Sequence, residues 1–137
     1  DLCKKYGIEV LGTFVIGLPG DTEEKINSTV EYAIHLNLDI ASFNLAVPLL
    51  GTKFRERVVA EGIYDANEPL ENLDSFRHAH IPLKGLDKKK LMALRLEAER
   101  RFYLRPAYLL KRLLSLNTPY RILTSMREGW DILSRTR

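Results

Sequence analysis

A strand-turn-helix segment, Gly12–Asn27 (GTFVIGLPGDTEEKIN), carries the residues whose types and spacing best fit a binding site. An apolar run ends at Gly17, and a Leu-Pro-Gly turn follows. Asp21 or Thr22 then caps a helix, and the spacing from Asp21 to Glu24 is typical of a capping box. In parallel α/β folds, ligands bind where the carboxyl end of a strand opens onto a helix. The segment therefore predicts a ligand site at this turn.

Polar side chains also interrupt a second apolar run, Ile40–Val47. Ser42 and Asn44 lie two residues apart in it, so a strand would place both on one face. The loop Pro48-Leu-Leu-Gly51 ends this run, and Thr52 is suited to cap a following helix. This second strand end is a further candidate for binding.

Other chemistry-bearing residues fit structural roles better. His78 and His80 share one face of an extended segment, but a metal site needs further ligands and none is suitably spaced. Glu23 and Glu24 are typical charges of a helix amino terminus. A single cysteine, Cys3, excludes an intramolecular disulfide and any cysteine-ligated cluster built from this chain alone. We therefore predict no catalytic residue and no metal ligand in this sequence.

The apolar pattern places the candidate residues on a βαβ unit. Ile8–Ile16 is apolar at nearly every position, which is typical of a parallel strand covered on both faces. A helix from about Asp21 to Leu36 and a strand at Ile40–Val47 follow, so the two strands should be parallel neighbours. A short helix over about Lys53–Glu61 ends this part of the chain.

The remainder of the chain is predicted to be helical. Asp87 begins a helix to about Leu104, Tyr108–Leu114 forms a second, and Thr118-Pro119 begins a third that runs to about Leu133. The apolar side of the first of these helices is predicted to contain Leu91, Leu94, Ala98, Arg101 and Phe102.

Charge divides the chain at a similar point. The whole chain carries +3, but residues 1–83 hold 7 Lys/Arg against 13 Asp/Glu, whereas residues 84–137 hold 14 against 5. We assign an α/β region to 1–65, a linker to 66–86 and a basic helical extension to 87–137. No apolar run approaches the roughly 20 residues of a membrane span. The absence of a signal segment and the single cysteine predict a cytoplasmic protein.

The segment Gly7–Gly62 resembles the last two strands and helices of the partial (β/α)6 barrel of radical S-adenosylmethionine enzymes. The resemblance is carried by TFVIGLPG (Thr13–Gly20), DTEE (Asp21–Glu24) and ASFNLAVPLLGT (Ala41–Thr52). The chain is most similar to members with a cobalamin-binding domain, in which a tail like FYLRPAYLLKRLLSL (Phe102–Leu116) follows the barrel. The expected fold is α/β: the last βα units of a TIM-like barrel followed by an all-helical extension.

This resemblance implies an enzyme that binds S-adenosylmethionine and a [4Fe-4S] cluster. Such an enzyme cleaves S-adenosylmethionine to a 5′-deoxyadenosyl radical for oxidoreductase or methyltransferase-type chemistry, and a further domain would bind cobalamin. The family's C-x3-C-x2-C motif and first four strands are absent from this sequence. We therefore expect a carboxyl-terminal fragment, inactive alone, whose partner is the amino-terminal half of the barrel. The implied substrate is a small or lipid-like molecule.

The resemblance also implies which residues bind the cofactor. Val15 would pack against the adenine and Gly17 would let the backbone approach it, although a one-residue slip would exchange Val15 for Phe14 or Ile16. A simpler alternative is that this strand is only core. Asn44 would bond the cofactor or substrate from the barrel lumen, or would satisfy a loop backbone group. The candidate cofactor-binding residues are Val15, Gly17, Leu18, Asn44 and Pro48.

The basic tail has three interpretations: helices packed on the barrel with solvated charged faces, helices touching anionic lipid headgroups, or a nucleic-acid-binding arm. We expect the first, with weak membrane-surface contact as its rival. Nucleic acid is not expected, because the aromatic residues lie within the apolar stripes. The alternative to an enzyme is a non-catalytic α/β interaction module with a basic helical arm.

Overall fold

The computed structural model describes residues 2–68, 75–76 and 79–114. The predicted third helix of the tail, which includes Trp130, lies outside these residues. In chain order the described elements are α1 (Leu2–Lys5), β1 (Leu11–Ile16), α2 (Glu23–His35), β2 (Ile40–Leu45), α3 (Lys53–Ala60), α4 (Lys88–Tyr103) and α5 (Pro106–Leu114).

The α/β class and the parallel strand pair are confirmed. β1 and β2 are hydrogen-bonded in parallel, in a register from Leu11 opposite Ile40 to Ile16 opposite Leu45. Both strands are shorter than predicted. β1 does not include Ile8, because the Ile8 N–H bonds the Cys3 carbonyl of α1 at 2.8 Å.

The carboxyl end of β2 is also earlier than expected. The Ala46 N–H still bonds the Ile16 carbonyl at 2.8 Å, and the chain then turns, where the Val47 carbonyl accepts a hydrogen bond from the Leu49 N–H at 2.9 Å. β2 therefore stops at Leu45. The predicted cap at Thr52 and the predicted helix start at Asp87 are confirmed, and each of the two side chains accepts a hydrogen bond from the third backbone N–H after it.

One face of the sheet is covered by α2 and α4. Alternate residues of each strand point to it, and Phe43 is fully buried there, 5.3 Å from the Phe14 ring and 6.3 Å from the Phe102 ring. Val30 and Ala33 of α2 complete this core. We call this side the covered face; its strand residues are Gly12, Phe14, Ile16, Ala41, Phe43 and Leu45.

The opposite side, which we call the open face, consists of Leu11, Thr13, Val15, Ile40, Ser42 and Asn44. The expectation that β1 is covered on both sides is wrong for the described structure, since Leu11 is 59% and Val15 48% exposed. The physical reason is that α2 and α4 pack against each other and against the same face of the sheet.

Residues between the α/β region and α4 also contribute to the core. Ile81 packs with Val58 of α3 and with Tyr64, whereas Leu86 joins Ile16 and Leu45. The described part of 66–86 is therefore in contact with the α/β region.

Of the helices that the structure describes, none combines the length and apolar character needed to cross a lipid bilayer.

Candidate functional site

The carboxyl ends of β1 and β2 open onto a groove of about 340 Å³ on the open-face side of the sheet. Two strands, the turn after β1, the loop after β2 and the start of α3 contribute to it. Residues that line this groove include Val15, Leu18, Asn44, Leu49, Phe54 and Ser75. Three of the five candidate cofactor-binding residues are thus brought together at one place, where a parallel sheet binds ligands.

Val15 lies on the groove side of β1, and its two neighbours do not. Val15 is 48% exposed, whereas Ile16 is 1% exposed in the core with Ile26, and Phe14 stacks on Phe43. Strand alternation therefore separates Val15 from Phe14 and Ile16, the residues with which a register slip would exchange it.

Asn44 and Ser42 form a hydrogen-bonded polar pair on the open face. The Asn44 Nδ2 group donates to the Ser42 hydroxyl at 3.3 Å, and both side chains are half-buried. Within the described ranges, Ser42 is the hydrogen-bond partner of the Asn44 side chain, and the predicted alternative of a bond to a loop backbone group is not seen. One N–H of the Asn44 amide and acceptor capacity of its carbonyl oxygen remain to bond a ligand.

The turn that follows β1 is held by Asp21. One carboxylate oxygen, Oδ2, accepts the N–H groups of Gly17 at 2.8 Å and Leu18 at 3.0 Å. Gly17 has φ +87°, which a side chain would strain. Thr22, and not Asp21, caps α2. Asp21 therefore fixes the turn that places Leu18 at the rim of the groove.

Pro48 supports the groove from behind. It is fully buried, and its carbonyl accepts a hydrogen bond from Arg55 Nη1 at 3.0 Å. The other guanidinium nitrogen of Arg55 bonds the Ala66 carbonyl at 2.8 Å, and its Cζ lies 5.1 Å from the Tyr64 ring centroid. Arg55 thus ties the loop after β2 to the loop after α3.

The described residues that line the groove carry no charged side chain. Near the start of α2, a hydrogen bond with the Thr22 side chain lowers the pKa of the Glu24 carboxyl. That carboxyl is fully exposed and does not line the groove. The groove is therefore suited to hold a partly apolar, hydrogen-bonding ligand, and its described lining residues supply no acid or base.

The remaining candidates do not gather at a site. Among the described residues, no group of three or more His, Cys, Asp and Glu side chains is placed to bind a metal ion. Cys3 is exposed in α1, and His80 is buried. His78 lies outside the described residues. A second concavity, of about 400 Å³, lies between Glu23 and α4 and is lined by Lys90, Glu97 and Arg100.

Two buried arginines, Arg55 and Arg95, were not predicted from the sequence, and one face of α4 was assigned wrongly. Arg95 is 1% exposed and belongs to the buried side of that helix, whereas Arg101, which was predicted there, bonds Asn27 and Glu31 of α2 nearer the surface. A signal was present, because Glu99 follows Arg95 at the spacing of a helical ion pair.

Comparisons with known proteins give two relatives. The chain is 31% identical over 116 residues to an uncharacterized methyltransferase, PH0819, of Pyrococcus horikoshii; the match covers 79% of this chain and 23% of that protein. It is 27% identical over 89 residues to a cytidylyl-2-hydroxyethylphosphonate methyltransferase of Streptomyces wedmorensis, covering 61% of this chain and 16% of that protein. No family model matches the chain. The chain thus spans less than a quarter of the length of either relative.

Proposed function

We propose that this chain is the carboxyl-terminal part of a methyltransferase of the radical S-adenosylmethionine type, and that its groove binds the adenine end of S-adenosylmethionine. Both relatives carry the name methyltransferase, which supports the coarser part of the proposal. The observation that carries the finer part is the meeting of Val15, Leu18 and Asn44 in one groove at the carboxyl ends of parallel strands.

The chemistry of these residues fits an adenine. The ring has apolar faces and a polar edge, so it is best held by apolar side chains beside an amide. Val15 and Leu18 offer exposed apolar surface, and Asn44 offers an amide with unused donor and acceptor capacity. Gly17 shapes the turn, and Pro48 fixes the loop after β2.

The free edge of β1 supports a larger barrel. Val10 and Ile16 direct their carbonyls to β2, so the alternate residues Leu11, Thr13 and Val15 direct their backbone groups to the opposite edge. No residue in the described ranges bonds them there. A further strand at this edge, from the amino-terminal half of a longer polypeptide, would continue the sheet and turn the open face into a barrel lumen.

The iron-sulfur cluster does not fit this chain's own residues, because the sequence contains one cysteine and it lies exposed on α1. In this proposal the cluster ligands, and any cobalamin site, belong to other parts of the longer polypeptide. S-adenosylmethionine, when bound, supplies the methyl group and the radical precursor. The residues described here bind and orient the adenine and exclude water from its faces. A small or lipid-like acceptor is the proposed substrate.

Binding of S-adenosylhomocysteine, measured by isothermal titration calorimetry, tests the groove. We expect Val15→Asp to weaken binding at least about tenfold, because a carboxylate would be placed against the apolar ring face. Leu11→Asp is the matched control, since it places the same charge on the same face and strand but at the far end from the groove.

Equal loss in both variants, or no binding by the wild-type chain, would contradict the adenine assignment. The enzyme class has a separate test in the reading frame that encodes the chain. A C-x3-C-x2-C motif upstream supports the radical type, and its absence would favour the non-catalytic α/β module.

A further inference from the structure

The two outer edges of the sheet differ in their hydrogen bonding to the rest of the described residues. At the edge of β2 that faces away from β1, the outward backbone groups belong to Ala41, Phe43 and Leu45, because Ile40 and Ala46 bond toward β1. In a larger sheet these groups would bond another strand. Here bonds from α4 and from Ser75 satisfy four of them.

Tyr103 provides two of these bonds with one hydroxyl. The Ala41 N–H donates to the Tyr103 oxygen at 3.2 Å, and the hydroxyl donates to the Ala41 carbonyl at 2.7 Å. The ring is held in place by Phe102 at 5.0 Å and Tyr108 at 5.3 Å, measured between centroids. A single side chain thus does for Ala41 what a neighbouring strand would do.

Arg95 provides the next bond along the strand. Its Nε donates to the Phe43 carbonyl at 3.0 Å, and its Nη2 bonds Glu99 Oε1 at 2.6 Å. A guanidinium that is 1% exposed is costly to bury unless it is well paired, so these bonds fix its position. Beyond it, the Leu45 N–H bonds the Ser75 carbonyl at 2.9 Å.

We propose that Tyr103 and Arg95 close the sheet at β2 and are positioning residues for the groove. They bond the backbone of Ala41 and Phe43, which flank Ser42 on the strand that carries Asn44. The sheet can then accept new strands only beside β1. The orientation of the Ser42–Asn44 pair depends on the α4 side chains that hold the strand from its outer edge. The ligand part of this inference rests on the proposed function, and the edge closure does not.

Tyr103→Phe tests the closure, because it removes the hydroxyl and keeps the ring. Tyr108→Phe is the matched control: it removes a hydroxyl from the same aromatic cluster, one that donates to the Asp39 carbonyl before β2 at 3.0 Å. Amide hydrogen exchange of Ala41, taken relative to Phe14 in the middle of β1, separates local opening from global unfolding. We expect this ratio to rise about tenfold in Tyr103→Phe and to stay unchanged in Tyr108→Phe.

Arg95→Lys is the second variant, since lysine keeps the charge and cannot reproduce both bonds of the guanidinium. We expect the side-chain amide resonances of Asn44 to shift in Tyr103→Phe and in Arg95→Lys, but not in Tyr108→Phe. The affinity for S-adenosylhomocysteine should fall about threefold or more in the same two variants.

Unchanged Ala41 exchange and unchanged Asn44 resonances in Tyr103→Phe would overturn the inference. So would equal effects in Tyr108→Phe, because the effect would then be general loosening of the cluster. If the wild-type chain does not bind S-adenosylhomocysteine, the proposed function fails, and the exchange ratio and Asn44 resonances still decide whether α4 closes the sheet and positions the pair.

Discussion

The two faces of one small sheet have opposite chemistry. On the covered face Phe43 is fully buried and contacts rings from β1 and α4. On the open face Leu11 and Val15 are about half exposed, and the polar pair Ser42 and Asn44 lies beside them. The same strands supply both faces, so the difference arises from which face the helices pack against. Apolar side chains that are left uncovered next to a polar pair indicate a face used for binding.

The comparison implies that stability comes from the covered face. Gly12 shows how closely that face is packed: a methyl group added there would clash with the Leu38 side chain. At Gly17, just after β1, an added methyl group would meet Ala46 and Leu91 only at ordinary contact distances, and the constraint there is the positive φ. The change in unfolding free energy caused by a substitution should therefore depend on the face to which the residue belongs, and not on the strand that carries it.

The largest effect is expected for Phe43→Ala. This change removes a fully buried ring from the centre of the covered face and should lower the free energy of unfolding by about 3–5 kcal/mol. Urea denaturation followed by circular dichroism measures it. A loss below about 1 kcal/mol would mean that the packing between the sheet, α2 and α4 is not the main core of this chain.

Much of the covered face was predictable from the sequence, because its signals are local. The helical spacing of Ile26, Val30 and Ala33 is a local signal of the buried stripe of α2, and the βαβ pattern predicted parallel pairing. Thr52 was recognisable as a cap and Asp87 as the start of a helix, from residues close to each in the chain.

The features that were missed depend on distant contacts. Arg95 was assigned to no buried face, because a charge within a helical pattern normally faces solvent and its partner, the Phe43 carbonyl, lies 52 residues away. Asp21 and Thr22 were both expected as possible caps of α2; Thr22 is the cap, and Asp21 bonds the turn after β1 instead. The meeting of Val15, Leu18 and Asn44 was expected only through a family resemblance. Their spacing alone did not predict it.

A smaller effect is expected at Asp39, where the covered side extends to α5. The Asp39 carboxylate accepts hydrogen bonds from Lys111 Nζ at 2.6 Å and from the Val10 N–H at 2.9 Å. Partial burial raises the pKa of Asp39, but these bonds and the charges of Lys111 and Lys4 outweigh it, so the pKa is lowered. Asp39→Asn should cost about 1 kcal/mol of unfolding free energy at pH 7.

The pH dependence of Asp39→Asn follows from the sign of that shift. A lowered pKa stabilises the fold at pH values above the unfolded pKa, and the contribution is lost as pH falls through the folded value. The stability difference between wild type and Asp39→Asn should therefore be constant near neutral pH and shrink below about pH 4. Urea midpoints across this range measure it. A difference that grows on acidification would contradict the assigned ion pair.

The smallest effect is expected on the open face, and it tests the comparison most directly. Val15→Thr replaces a methyl group by a hydroxyl at a half-exposed position and should change the free energy of unfolding by less than about 0.5 kcal/mol. Ile16→Thr makes a similar change one residue later on the covered face, where the side chain is 1% exposed, and should cost about 2 kcal/mol. Equal costs in the two variants would mean that Val15 is buried in solution. The open face would then be covered by another part of the chain or a second copy, and analytical ultracentrifugation would distinguish the two.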